Sequence, residues 1–180
     1  MTAVKLPYSL LSRSLFLTVT LVAAAASAGW SQQGEGNASF LSRGPAGLKI
    51  VGSTRSVEVK DDGKELTVAV KVIDLDTDNS LRNRHMLEDI EAAKFPLATL
   101  TVPTATVKEG ADVEAKGTFT LHGKTREAPF RYTLKCNGAL CDVEGSLELS
   151  LKDFEIKVRS YLGITVKDEV SVAIKFQLKK

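Results

Sequence analysis

Aromatic residues make up only 6% of this 180-residue chain, which also has just 5 prolines, 2 cysteines and 2 histidines. Each shortage excludes something. Neither cysteine has a histidine near it in sequence and no Gly-x-Ser-x-Gly turn is present, so nucleophilic catalysis has no obvious carrier and an enzyme is not expected. With two histidines and no clustered ligand spacing, neither a metal site nor a cofactor is indicated. Charge of one sign is missing too: the net charge is +2. A nucleic-acid binder would show a basic excess, so no nucleic-acid partner is implied. Beyond residue 28 no apolar run approaches the roughly 20 residues that a membrane-crossing helix needs. Long stretches of helix-forming residues are also absent, which argues against a helical bundle. At 43% hydrophobic and 26% charged, the composition is that of a folded globular domain rather than a disordered chain.

The first 28 residues read as a secretory signal. Lys5 and Arg13 supply a basic start, Leu15 to Ala26 an apolar core, and Ala26-Ser27-Ala28 a small-residue cleavage site. The expected cut follows Ala28 and leads to a periplasmic or secreted protein. Losing Lys5 and Arg13 leaves 22 basic against 22 acidic side chains, so the exported chain carries no net charge. Gly29 to Ala38 is polar and glycine-rich and reads as a flexible lead-in. The folded domain is expected over residues 39–180.

Within that domain the dominant signal is period-two alternation, the mark of half-buried strands. Val57 and Val59 alternate with charged residues before a turn at Asp61–Lys64. Leu66, Val68, Val70 and Val72 then share one face. Phe119 and Leu121 precede a turn at His122-Gly123-Lys124. Ala128, Phe130, Tyr132, Leu134 and Cys136 line a long strand ending at Asn137-Gly138, a strong hairpin signal. Val143, Leu147 and Leu149 follow on the next strand, and Val170, Val172, Ile174, Phe176 and Leu178 on the last. Weaker candidates around Phe40, Leu48–Val51 and Leu97–Val107 bring the total to about eight strands. One segment breaks the period: Ser80 to Lys94 predicts a helix, with Asp78, Asn79 or Ser80 as its cap and Phe95-Pro96 as its stop.

A single short helix cannot cover the apolar faces of eight strands, so the sheet must cover itself. Sequential hairpins with short turns predict an all-β, eight-stranded, antiparallel up-and-down barrel with the helix near one end. An outer-membrane barrel would need aromatic girdles. Only 8 Phe and Tyr follow Ser39, and the chain ends in Gln177-Leu178-Lys179-Lys180. The inward walls come from Val68, Val70, Val72, Phe119, Leu121, Phe130, Tyr132, Leu134, Leu147, Leu149 and Phe176. Such residues form a core whether or not a ligand lies between them. Cys136 and Cys141 flank a four-residue hairpin loop, within disulfide reach in an oxidising compartment; two free buried thiols are the alternative.

The sequence carries a further pattern. Leu75-Asp76-Thr77-Asp78-Asn79 precedes Arg82-Asn83-Arg84-His85-Met86-Leu87, and Lys94-Phe95-Pro96 precedes a strand. Gly117 to Thr125, Ser150 to Ile156 and Leu162 to Val170 follow in order. Together these blocks resemble the YceI-like family of bacterial periplasmic, lipocalin-like proteins that bind polyisoprenoid and related long-chain lipids. Asn83 stands where that family has an acidic residue and Glu155 where it commonly has glycine. The family's first strand, with its aspartate and His-Ser pair, is not visible between Ser39 and Gly52.

The resemblance implies that the barrel binds, sequesters or carries a long apolar lipid such as a polyprenyl chain, an isoprenoid quinone or a fatty lipid. A filled barrel acting as a structural or protein-interaction module in envelope stress is the alternative. Arg82 and His85 either hold the polar head of an amphiphile at the barrel mouth or bond turn carboxylates such as Asp76 or Asp78. His122 reads as a turn residue only. Nothing in the sequence specifies an oligomer, and a dimer is compatible with it.

Overall fold

The structure, a computed structural model, describes residues 29–158, 160–161 and 164–180. The expected secretory segment, residues 1–28, lies outside them. The elements are β1 (Ser31–Arg43), β2 (Lys49–Thr54), β3 (Val57–Asp61), β4 (Glu65–Lys71), α1 (Ser80–Asp89), β5 (Leu97–Pro103), β6 (Gly110–Leu121), β7 (Lys124–Asn137), β8 (Leu140–Ser150), β9 (Ser160–Tyr161), β10 (Ile164–Thr165) and β11 (Glu169–Lys179). Apart from the small β9–β10 hairpin, they form one antiparallel sheet in the order β2-β1-β11-β8-β7-β6-β5-β4-β3.

That sheet has nine strands where eight were expected. The extra one arises because the stave after β1 is broken in two. Between Thr54 and Val57 the Thr54 hydroxyl accepts from the Ser56 amide at 3.0 Å, and the Arg55 carbonyl accepts from the Val57 amide at 2.8 Å. β2 pairs with the second half of β1, while β3 pairs with β4. The two ends of the sheet are therefore consecutive pieces of chain, and the sheet rolls into an up-and-down barrel.

The polar segment at the start of the domain is a strand, not a flexible lead-in. Ser31–Gln33 and Asn37–Ser42 pair with β11 on either side of a bulge. Gly34, at φ +64°, lies in that bulge and takes a left-handed conformation that costs glycine little. Gly36 lies so close to the Val57 side chain that a Cβ would sit 2.7 Å from it, so only glycine lets β1 approach β3 there.

Helix α1 is shorter than the expected Ser80–Lys94. Asn79 caps its start, accepting from the Arg82 amide at 2.9 Å. Its end is a Schellman turn: Ala92 N–H reaches Leu87 O at 2.9 Å, and Glu91 N–H reaches Glu88 O at 3.1 Å. Glu91 adopts φ +47°, and the turn drops Ala92 into the core at 2% exposure. Burial of Ala92 thus ends the helix before the proline does.

Two apolar clusters fill the barrel near its ends. One gathers Ala38, Val57, Val59, Leu66, Val102, Tyr132, Leu134, Val143, Phe176 and Leu178. Leu134 and Leu178 are 1% exposed, and truncating either to alanine costs about 2–5 kcal/mol. The Cys136–Cys141 disulfide also lies at this end. Its hairpin is tighter than the expected four-residue loop, because Asn137 pairs with Leu140 and Gly138 takes φ +63° at the first turn position. The other cluster joins Val72, Ala92, Phe119, Leu121, Ala128, Phe154 and Ile156. His122 belongs beside it and is more than a turn residue: Nδ1 lies 2.8 Å from Phe154 O and the ring sits edge-on to Phe95.

Candidate functional site: an apolar cavity in the barrel

Between the two clusters lies an apolar cavity of about 600 Å³. Every wall residue expected from the sequence lines it. β4 and the turn after it contribute Val68, Val70 and Val72, and β6 contributes Phe119 and Leu121. β7 supplies Phe130, Tyr132 and Leu134, β8 Leu147 and Leu149, and β11 Phe176. Alternation explains the convergence, since residues two apart on a strand face one side of the sheet. Val68, Val70, Phe130, Leu147 and Leu149 point inward yet are only half-buried. Their free surface faces the cavity, as it must in a barrel that side chains do not fill.

Several lining residues escaped the sequence reading. Helix α1 contributes Leu81 and Met86, its C-cap Ile90, and β1 contributes Ala38, Phe40 and Ser42. The alternation of Ala98, Leu100 and Val102 on β5 carried a usable signal. Gly145 also lines the cavity, and a Cβ there would meet Ile174 Cγ2 at 3.1 Å and then only the Arg131 carbonyl at 3.8 Å. Gly52 permits another feature. A Cβ would lie 2.3 Å from the Phe40 ring, so its absence makes room for that ring.

Polar groups on the wall are few. Tyr132 Oη donates to Lys108 O at 3.2 Å, and the Ser42 hydroxyl is buried without a hydrogen-bond partner among the described residues. Arg82 and His85 both line the cavity. Arg82 does not bond Asp76 or Asp78, however: its Nε donates to the Thr77 hydroxyl at 2.9 Å and its Nη2 to the Thr77 carbonyl. The residue that reaches the turn carboxylate is Asn83. Its Nδ2 donates to Asp76 Oδ1 at 2.7 Å, while its Oδ1 accepts from the Thr77 amide at 2.9 Å and the Thr77 hydroxyl at 2.6 Å. The Asn83 amide and the Asp78 N–H hold the Asp76 carboxyl below the ordinary carboxylate range. An amide at position 83 can serve Thr77 and Asp76 together because it both accepts and donates; a carboxylate could only accept. His85 makes no hydrogen bond to any described residue and stays available at the cavity wall. Among the described residues no three His, Cys, Asp or Glu side chains come together as a metal site, and no helix is long and apolar enough to cross a membrane.

A nearly closed antiparallel barrel with an apolar hollow and, among the described residues, one α-helix beside it is the architecture of a small-molecule-binding, lipocalin-like protein. The chain belongs to the YceI-like family, whose domain profile matches residues 33–178. Solved structures share the fold. BcnA of Burkholderia cenocepacia is 21% identical with a TM-score of 0.65, over 79% of this chain and 95% of that one. A polyisoprenoid-binding domain from Saccharophagus degradans, implicated in plant cell wall breakdown, is 15% identical with a TM-score of 0.67, over 84% and 98%. The Campylobacter jejuni YceI protein is 16% identical with a TM-score of 0.51, over 100% and 99%. No curated protein matches the chain.

Proposed function

We propose that this protein is exported and holds one long-chain apolar lipid, a polyisoprenoid or isoprenoid quinone, inside its barrel, sequestering it or carrying it through the periplasm. The observation that carries this reading is the hollow itself: about 600 Å³ of apolar space, within the roughly 300–1,000 Å³ of small-molecule sites. A filled structural barrel would leave no such space, which favours the carrier over that alternative. The polyisoprenoid-binding relative supports the ligand class. Affinity comes from burial, at about 0.8 kcal/mol for each CH₂ removed from water, so few polar contacts are needed. The activity is binding rather than catalysis, with no cofactor.

The test is mass spectrometry of an organic extract of the protein purified from a periplasm. One long-chain lipid per barrel is expected. Protein that yields no lipid and takes up no isoprenoid quinone from detergent would overturn the reading.

A further inference from the structure

Among the described residues the barrel buries three polar side chains, Ser42, Thr54 and Thr77. Two of them are engaged. Thr54 accepts from the Ser56 amide, and Thr77 donates to Asn83 and accepts from Arg82. Ser42 is 6% exposed, and its hydroxyl has no hydrogen-bond partner. The other buried polar atom without one among the described residues, His122 Nε2, does not line the cavity and lies 3.5 Å from a Glu91 carboxylate oxygen. Ser42 does line the cavity. It follows Ala38 and Phe40 along the inward face of β1, and its register partners, Val170 on β11 and Ile50 on β2, are apolar wall residues. The chain entering α1 lies beside this end of β1: a Cβ on Gly52, the partner of Phe40, would meet Thr77 Cγ2 at 3.0 Å. From Ser42 the wall of β1 leads past Phe40 to Ala38, in the cluster with Leu134 and Leu178. An unpaired hydroxyl inside the barrel costs stability that an apolar side chain there would not. A ligand oxygen would supply the partner that the protein does not.

We propose that Ser42 is the head-group contact of the cavity: the bound lipid carries one uncharged oxygen, a carbonyl or a hydroxyl, that hydrogen-bonds to Ser42, and its tail runs toward Leu134 and Leu178. The proposal rests on the lipid-carrier reading above and narrows it. A serine hydroxyl both donates and accepts, and it turns about χ1, so a quinone carbonyl and a prenyl alcohol are served alike. An ion is not. A buried phosphate or carboxylate needs several donors, and the side chains of Ile50 and Val170 have none. Arg82, which also lines the cavity, directs its Nε and Nη2 at Thr77 instead.

The test offers the purified protein an isoprenoid quinone and a hydrocarbon of equal chain length together, in detergent. Mass spectrometry of the organic extract counts both. The native protein should favour the quinone, and Ser42→Ala should cut that preference by about three- to tenfold, the worth of one neutral hydrogen bond. A prenyl alcohol in place of the quinone should behave in the same way, whereas a prenyl phosphate should bind native protein and variant equally. Hydrogen bonding lowers a carbonyl stretch, so in infrared spectra one carbonyl band of the bound quinone should move up in Ser42→Ala. Stripped of lipid, Ser42→Ala should melt no lower than the native protein, because it loses a hydroxyl that bonds nothing. An unchanged preference, an unmoved carbonyl band or a lower melting point of the lipid-free variant would overturn the proposal. A phosphate that loses as much as the quinone would overturn the uncharged head. Uptake of quinone and hydrocarbon without preference defeats this inference alone; no uptake of either by the native protein defeats the carrier reading beneath it.

Discussion

Gln32 stands in for a strand partner of Val59. Its Oε1 accepts from the Val59 amide at 2.7 Å, and its Nε2 donates to the Val57 carbonyl at 3.1 Å. One side-chain amide therefore satisfies a backbone donor and a backbone acceptor where β1 and β3 approach without a ladder. Gln32→Leu leaves both groups unpaired, and the expected loss is about 2–3 kcal/mol. Urea denaturation measures it, and hydrogen exchange at the Val59 amide should accelerate by more than at the neighbouring β3–β4 pairs.

Gly145 keeps the middle of the cavity open. Gly145→Leu should fill the space beside Ile174 and displace about three or four methylenes of a bound chain, at about 0.8 kcal/mol each. Long isoprenoids should bind correspondingly more weakly, while short ones bind as before. Fluorescence titration with a series of chain lengths reads this directly, and equal weakening at every length would contradict it.

Acid should weaken the end of the barrel at Asp61. Burial opposes ionisation of that carboxyl, but the Thr104 hydroxyl and the Trp30 and Gly63 amides outweigh it and hold the group below its ordinary range. A carboxyl depressed in the folded state contributes stability above its unfolded value, about pH 4, and loses it as pH falls through the folded one. Asp61→Asn should be less stable at neutral pH and should show a shallower decline below about pH 4. Denaturant midpoints across a pH series would show it; the slope should not vanish, because Asp168 is depressed as well.

Glu155 occupies a left-handed position, φ +57°, at the end of the turn Leu151–Phe154. Its carboxylate meets Lys124 Nζ at 2.9 Å, and solvent screening leaves such an exposed pair little effect on stability. Glu155→Gly removes that pair but also relieves about 1 kcal/mol of left-handed strain, so stability should hold or rise slightly. Glu155→Val, β-branched at positive φ, should lose about 1–3 kcal/mol. Thermal melts of the two variants should therefore move apart.

The barrel and its wall were legible because Val68, Val70, Phe130, Tyr132, Leu147 and Leu149 repeat at period two, and that period alone decides which face turns inward. The first half of β1 was not legible. Its inward residues, Gly36 and Ala38, are too small to register as apolar, and the bulge at Gly34 resets the alternation midway. Nor could periodicity show that β2 and β3 make one stave, since the Thr54 and Arg55 bonds that break it are local. Helix α1 reads as polar, so its share of the wall is tertiary information. Asn83 looked like a departure from the family pattern, and only the geometry shows why an amide suits Thr77 and Asp76 together.

Closure has a consequence beyond the cavity. The free side of β2 is taken by Asp76, whose backbone exchanges two bonds with Ser53 at 2.8 and 2.9 Å, and the free side of β3 by Gln32. Unpaired strand edges are templates on which a second chain can build. Here each is met from within at one point, which blunts both edges where the barrel closes. A second chain that approaches this seam meets a partner already in place at Ser53 and at Val57 and Val59.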